Sequence, residues 1–511
     1  MVFNNRLKGT GTIILLNIAL FAPYFNAKIF PLFALDKVVV LFCLSLVAAA
    51  LLSRAVFCLI AGLVLFTNVI YLHLMAHWPG DFESRVSLAL ESPASERWQY
   101  LSNYLSGVDV LIALYVLGCL VGIGLIVRSR PSSTMLLRVL ALVPVAAALS
   151  LAASNGRAMR LPLITLPQEV YEQPLRARQL AERNATIAAL DLSGKRCAAD
   201  FDNVVVVIGE SSSADHNALY GYPRAGASKL EGTGMVRFSA IAPSNQTRYS
   251  VPMMLTRAQP DTFAAFYVEP SLVSELKACG YRTYWISNQP KAGKFDDNIT
   301  SVSREADISL FLMDSDNGRE HYDEDLIEKI HVINAGAGDA RKKAFFIHLA
   351  GSHVDYNKKF PESFAPKSAD LMEAYDTAVR YTDQVLRGIF DEFPKAGLLF
   401  MYASDHGELF TDELFGHGYV PSYQNEYRVP FLVWSSDAER LDQVRDYVGT
   451  RAVNTASFDD VARFLVGMDA DVKTVSFSRL VLDASSSVVN YDRLVNYKLD
   501  ASHSMRVSTN E

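Results

Sequence analysis

Five apolar runs crowd the first third of the chain, at residues 9–27, 38–53, 55–78, 110–127 and 139–155. A run of roughly 20 apolar residues with few charges is long enough to cross a bilayer as a helix. Backbone polar groups in hydrocarbon must be satisfied inside the segment, so the helix is the form open to such runs. The second run is the shortest, and Arg54 separates it from the third. A signal peptide is the alternative for the first, but no Ala-x-Ala-like site follows it and four further runs do. The sequence therefore predicts an N-terminal α-helical membrane domain over 1–155 with five transmembrane helices.

Basic residues orient it. Arg6 and Lys8, then Arg54, then Arg128, Arg130 and Arg138 share one side if the amino terminus lies in the cytoplasm. Lys28, Lys37, Arg157 and Arg160 fall on the other side, so the rule is followed imperfectly. An odd number of crossings then places everything after about residue 155 outside the cytoplasm. Between the third and fourth runs, the stretch 91–105 opens with Ser92 and Pro93, a cap and a first helical position. Trp98, Tyr100, Leu101, Tyr104 and Leu105 give it an aromatic stripe suited to the membrane interface. A surface helix without chemistry and a substrate-gripping bridge both fit this pattern.

Residues 156–200 read as a linker punctuated by Pro162, Pro167 and Pro174, with a helical stretch over 175–190. From 201 to 511 the pattern becomes α/β. Apolar runs at 203–209, 281–287, 344–350, 397–403 and 430–434 read as buried strands, and 272–278 and 371–390 as helices. Alternation of this kind implies a largely parallel sheet covered on both faces. The net charge of -7 argues weakly against a nucleic-acid partner. Five cysteines are too few for a disulfide scaffold. Cys43, Cys58 and Cys119 lie in apolar runs, which leaves Cys197 and Cys279 for one bridge. Each precedes a strand, and if those strands are neighbours an oxidising compartment permits the bond.

Chemistry gathers at the strand ends. Glu210 follows the first strand, Gly351-Ser352-His353 the third, and Ser404-Asp405-His406-Gly407-Glu408 the fourth, with His417 in a glycine-bracketed loop beyond. Open α/β sheets place ligands at the carboxyl ends of their strands. Carboxylates and imidazoles there suit zinc. Any one of them alone reads as a solvated loop residue; Glu210, His353, Asp405, His406 and His417 together at one rim read as a metal site. Ser211 fails the Gly-x-Ser-x-Gly nucleophile elbow, because Ser213 stands where the last glycine belongs. Thr247 enters a helix that holds Pro252 in its opening turns, near free N–H groups suited to a phosphate ester. A threonine hydroxyl needs activation, most simply by a metal; the other role for Thr247 is an N-cap.

Together these motifs resemble the phosphoethanolamine transferases, the membrane-bound branch of the alkaline phosphatase/sulfatase superfamily. Gly209-Glu210, Thr247 ahead of Ser250-Val251-Pro252, Gly351-Ser352-His353, Ser404-Asp405-His406 and Gly416-His417-Gly418 fall in family order. The resemblance covers nearly the whole chain. It implies a bacterial inner-membrane protein whose catalytic domain of alkaline phosphatase/sulfatase type lies in the periplasm. It implies Zn2+ held by Glu210, Thr247, Asp405 and His406, with Thr247 as nucleophile. His353 and His417 would bind the transferred group or a second zinc, and Asn288, Gln289 and Lys294 the substrate head group. The donor would be phosphatidylethanolamine drawn from the lipid bilayer, and the acceptor a sugar hydroxyl of a surface glycolipid or glycan. Cysteines that commonly flank the nucleophile loop in lipid A-modifying members are replaced here by Pro243 and Met253. The acceptor therefore stays open between lipid A, a core sugar and a periplasmic glucan. Phosphoglycerol transfer and phosphate or sulfate hydrolysis on the same metal scaffold are the rival reactions, and a non-catalytic binding protein is the remaining alternative.

Overall fold

The computed structural model describes residues 54–77, 86, 107–129, 162–224, 226–291, 298–315, 321–336, 342–411, 414–499 and 505–507. The chain divides into two compact units, 1–175 and 176–511.

In the first unit, helices α1 (Arg54–His77) and α2 (Gly107–Ser129) match the third and fourth apolar runs. Both are long and apolar enough to cross a membrane. Leu59, Phe66, Leu111 and Leu114 point outward from them, as lipid-facing residues do. Their polar residues pair across the helix interface. Asn68 donates to the Tyr115 hydroxyl at 2.9 Å, and His73 Nδ1 lies 2.7 Å from Asp109 Oδ1. Polar groups on helices this apolar are costly in a membrane unless paired. The other three runs and the 91–105 stretch lie outside the described residues.

Helix α3 runs Pro162–Ala188, starting well before residue 175. Pro162 occupies the first turn, where its missing N–H costs no hydrogen bond, so the helix begins there and not after the last proline. Its later turns, from residue 176 on, belong to the second unit and bury Leu180, Arg183 and Ile187 there. The Arg183 guanidinium donates to Phe266 O at 2.8 Å and Ser301 Oγ at 3.0 Å, and pairs with Glu305 at 2.6 Å.

The second unit is built on an eight-strand sheet among the described residues. Its strands are β1 (Asn203–Gly209), β2 (Val236–Ile241), β3 (Arg282–Ser287), β4 (Ile308–Phe311), β5 (Lys343–His348), β6 (Leu398–Ser404), β9 (Arg428–Ser435) and β10 (Val453–Asn454). They lie in the order β10-β2-β9-β6-β1-β5-β3-β4. A short ribbon of β7 (Leu409–Phe410) and β8 (Phe415–Gly416) stands apart at the rim. β1 alternates Val204, Val206 and Ile208 toward one core with Val205 and Val207 toward the other. That explains why the strand reads as an unbroken apolar run. Helices α4 (Thr247–Leu255), α5 (Leu272–Ala278) and α10 (Phe458–Leu465) cover the first face. Helices α7 (Asp325–Ala335) and α8 (Leu371–Asp391) cover the second. Between α5 and α7 stands α6 (Asn298–Ser303), and α9 (Ala438–Val448) follows β9.

The sheet is mixed, which corrects the largely parallel expectation in one strand. β9 runs antiparallel to both neighbours, β6 and β2. The chain leaves β6 at the rim, spends residues 405–427 there without a crossover helix, and re-enters the sheet from the same rim. Return from the same edge forces an antiparallel strand.

Cys197 and Cys279 form a disulfide with Cα atoms 5.6 Å apart. The strands they precede are not neighbours, since β5 lies between β1 and β3. The bond forms because Cys279 caps α5 beneath the sheet, not because two strand entries adjoin.

Candidate metal and nucleophile site

Glu210 and Asp405 leave adjacent parallel strands in register, with Gly209 opposite Ser404. Both are fully buried. Asp405 N–H donates back to Gly209 O at 3.1 Å, which locks the two strand exits together. One carboxylate oxygen of Asp405 is saturated: Oδ1 accepts from Ser211 N–H at 3.0 Å and His406 N–H at 2.7 Å. The other, Oδ2, is buried with no hydrogen-bond partner. It lies 3.4 Å from His406 Nε2, which in turn lies 3.4 Å from Glu210 Oε1. His406 Nδ1 donates to Gly407 O at 3.0 Å, which turns Nε2 toward the carboxylates. A buried carboxylate oxygen without a donor, facing a second carboxylate and an imidazole nitrogen, fits a divalent cation. Glu210, Asp405 and His406 offer ligand atoms all within 4.8 Å of one another.

Charge perturbations follow from this crowding. Burial favours the neutral form of Glu210, yet the hydrogen bond and charge of His406 outweigh it and hold Glu210 well below the usual carboxylate range. Asp405 is pushed up to about 7, by burial first and then by the Glu210 charge. Burial pulls His406 down, but the two carboxylates raise it to about 10. Titratable groups driven apart in this way mark a functional site.

Thr247 is the first residue of α4, and Gln246 takes the cap position. Thr247 Oγ1 lies 3.2 Å from His406 Nε2 and 3.3 Å from Glu210 Oε2. Ser250, one turn on, donates its hydroxyl to Asp405 O, which pins α4 against the rim. Thr247 is only part-buried, whereas Ser211, Ser212 and Ser213 are sealed from solvent.

His417 returns over this group at the end of the β7–β8 ribbon. Its ring centroid is 4.0 Å from that of His406 and 5.6 Å from that of His353. His417 Nδ1 is hydrogen-bonded to Glu408 Oε2 at 2.7 Å, and Tyr356 donates to Glu408 Oε1 at 2.6 Å. Burial pushes the Glu408 carboxyl up to about 7. His406, Glu408 and His417 make a second group of converging ligand atoms. Glu408 stood inside the Asp-His-Gly-Glu motif without an assigned role; its spacing from His406 was the available signal.

Gln289 reaches the same site, donating to Glu210 Oε2 at 3.3 Å and Leu349 O at 3.0 Å. Asn288 turns away and donates to Asp323 Oδ1 at 2.9 Å. Lys294 lies outside the described residues. Asp323, which no motif announced, also accepts from the N–H groups of Ala350 and Gly351 at 2.8 Å each, and so holds the loop bearing His353. Gly351 has φ +51°, and a Cβ there would meet Glu210 O at 2.5 Å. Only glycine permits that approach.

The Sulfatase family model matches residues 202–466. Phosphoethanolamine transferase EptC of Escherichia coli (strain K12) is 29% identical over 276 residues, covering 48% of this chain and 47% of that protein. The chain spans about half the length of the curated relatives it matches. Among solved structures, the integral membrane protein lipooligosaccharide phosphoethanolamine transferase A from Neisseria meningitidis has a TM-score of 0.63 at 18% identity, covering 91% of this chain and 98% of that one. The C-terminal periplasmic domain of Escherichia coli EptC, in complex with Zn, has a TM-score of 0.51 at 23% identity, covering 59% of this chain and 95% of that one. At those identities the two structures establish a shared fold.

Proposed function

The chain belongs to the sulfatase family, and from that premise we propose that it is a membrane-bound phosphoethanolamine transferase. The donor is phosphatidylethanolamine, and the acceptor a sugar hydroxyl of a surface glycolipid, in lipopolysaccharide core or lipid A. The observation that carries this reading is the convergence on Thr247: a part-exposed hydroxyl at a helix start, within 3.2 Å of His406 Nε2 and 3.3 Å of Glu210. The curated relatives named phosphoethanolamine transferases support the choice of transferred group.

Glu210, Asp405, His406 and Thr247 are the residues that would hold zinc; the orphaned Asp405 Oδ2 supports this set. Bound there, zinc supplies positive charge that favours the ionised Thr247 hydroxyl and offsets charge on phosphoryl oxygen. Thr247 Oγ1 attacks phosphorus, the phosphorus–oxygen bond to diacylglycerol breaks, and diacylglycerol departs with a proton. An acceptor hydroxyl then attacks the phosphothreonine in line, the bond to Oγ1 breaks, and Thr247 regains its proton. The start of α4 turns the positive end of its helix dipole toward the phosphoryl oxygens in both steps. His417, oriented by Glu408, and His353 flank the path by which the acceptor approaches, and Gln289 lines the head-group side.

Five membrane helices and a periplasmic catalytic unit complete the proposal, supported by α1, α2 and the placement of basic residues. Incubating the detergent-solubilised protein with phosphatidylethanolamine and no acceptor tests the reaction. Phosphoethanolamine should be trapped on the peptide containing Thr247 as diacylglycerol is released. Label on Ser211, Ser212 or Ser213 would overturn the mechanism. Phosphatidylglycerol as the better donor would favour phosphoglycerol transfer, and turnover of simple phosphate or sulfate esters a hydrolase.

A further inference from the structure

Tyr375 lies fully buried on α8, and its hydroxyl reaches the turn that follows β1. It donates to Ser211 O at 2.6 Å and accepts from Ser213 N–H at 2.9 Å. Between these contacts Ser211 has φ +56°. That left-handed conformation is disfavoured for a residue with a Cβ and persists only where surroundings enforce it. From it Ser211 makes two bonds at once: its N–H to Asp405 Oδ1 at 3.0 Å and its hydroxyl to Glu210 Oε1 at 2.8 Å. One strained residue thus orients both carboxylates, and Asp405 Oδ2 is left directed at His406.

We propose that Tyr375 is a positioning residue for the metal: its hydroxyl clamps Ser211 in the left-handed conformation, which aims Glu210 and Asp405 at the cation and so sets zinc affinity. The proposal rests on the reading of those carboxylates as zinc ligands. The rest of Tyr375 has a separate task, since its ring packs against Phe410 at 4.8 Å, His216 at 5.1 Å and Tyr356 at 5.2 Å. Tyr375→Phe keeps those contacts and removes only the clamp. Burial, then the charge of Glu408, holds the phenol protonated well above its ordinary value, so it remains a donor to Ser211 O across the working pH range.

The test is zinc affinity of the full chain in detergent, by competition with a chromophoric chelator, with zinc alone as probe. Tyr375→Phe should bind zinc about tenfold more weakly, the size expected for loss of a partner behind the ligands. Ser211→Gly supplies the decisive background, because glycine takes φ near +56° without strain and needs no clamp. There the same Tyr375→Phe change should cost no more than about twofold, within the scatter of independent sites. Unaltered affinity in Tyr375→Phe, or equal losses in both backgrounds, overturns the clamp. If Tyr375→Phe melts out alone in excess chelator, the double variant is compared with Ser211→Gly, and a tenfold loss there overturns it too. Asp405→Asn separates the two ideas: it should abolish tight binding whatever Tyr375 does, and wild-type affinity in it overturns the metal reading itself.

Discussion

Thr247 and the groups around it divide labour in a way that single substitutions expose. Thr247→Ala should abolish transfer while lowering zinc affinity far less than Asp405→Ala or His406→Ala does, as read by product mass spectrometry and metal analysis on the same samples. Folding should survive it, because a part-exposed hydroxyl contributes only about 1 kcal/mol. Thr247→Ser should retain some transfer, since a primary hydroxyl still attacks. Gly351 makes a different prediction. A Cβ at φ +51° pressed to 2.5 Å from Glu210 O must displace either the His353 loop or Glu210. Gly351→Ala should therefore destabilise the fold by about 1–3 kcal/mol in denaturant melts and weaken zinc binding as well. Glu210, Asp405 and His406 were legible because they directly follow strands whose apolar runs are plain. Asp323 was not: it gathers the N–H groups of Ala350 and Gly351 from a distant stretch of chain, a relation that only the folded backbone creates. The strain at Ser211 was equally hidden, since no glycine or asparagine marks that turn.

At the level of elements, strands buried on both faces announced themselves and marginal ones did not. β1, β5 and β6 are continuous apolar runs, whereas β2 alternates exposed and buried residues and β10 has only two residues. The direction of β9 was illegible for another reason: a strand's own sequence carries no sign of which rim its chain enters from. The disulfide was anticipated from two isolated cysteines, though it joins the approach to β1 with the cap of α5. Nearby, Lys195 pairs with Glu275 at 2.7 Å, and Glu275 with the buried Arg463 at 2.5 Å. The bond therefore reinforces an ionic tie already linking the segment before β1 to α5 and α10. Cys197→Ser should cost about 2–5 kcal/mol, given the long loop it closes. The residual ion pairs should still let the domain fold. Thermal melting with and without reductant checks this: wild type should fall toward the variant on reduction, and the variant should not respond. A wild-type melt indifferent to reductant would mean that the bond contributes nothing.

Across the whole molecule, the proposed transfer from a lipid-linked donor requires the metal rim to stand on the membrane side where the acceptor glycan is made available. Two polar pairs join α1 to α2, His73 with Asp109 and Asn68 with Tyr115. His73 lies near the end of α1 and Asp109 near the start of α2, so that pair sits at one end of both helices. Arg54 at the start of α1 and Arg128 near the end of α2 mark the opposite end. Cationic residues are retained on the cytoplasmic side of membrane helices. In the proposed topology the His73–Asp109 end would face outward, on the side to which five crossings would deliver residues 156–511. A phosphatase reporter fused after residue 155 should be active, because that enzyme folds only outside the cytoplasm, and one fused after Arg130 should be silent. An even number of crossings would silence the first fusion and leave Thr247 in the cytoplasm, away from any surface glycan. An active fusion after Arg130 would instead invert α1 and α2, setting Arg54 and Arg128 outside against the positive-inside preference. Either result would require a different substrate for the same metal rim.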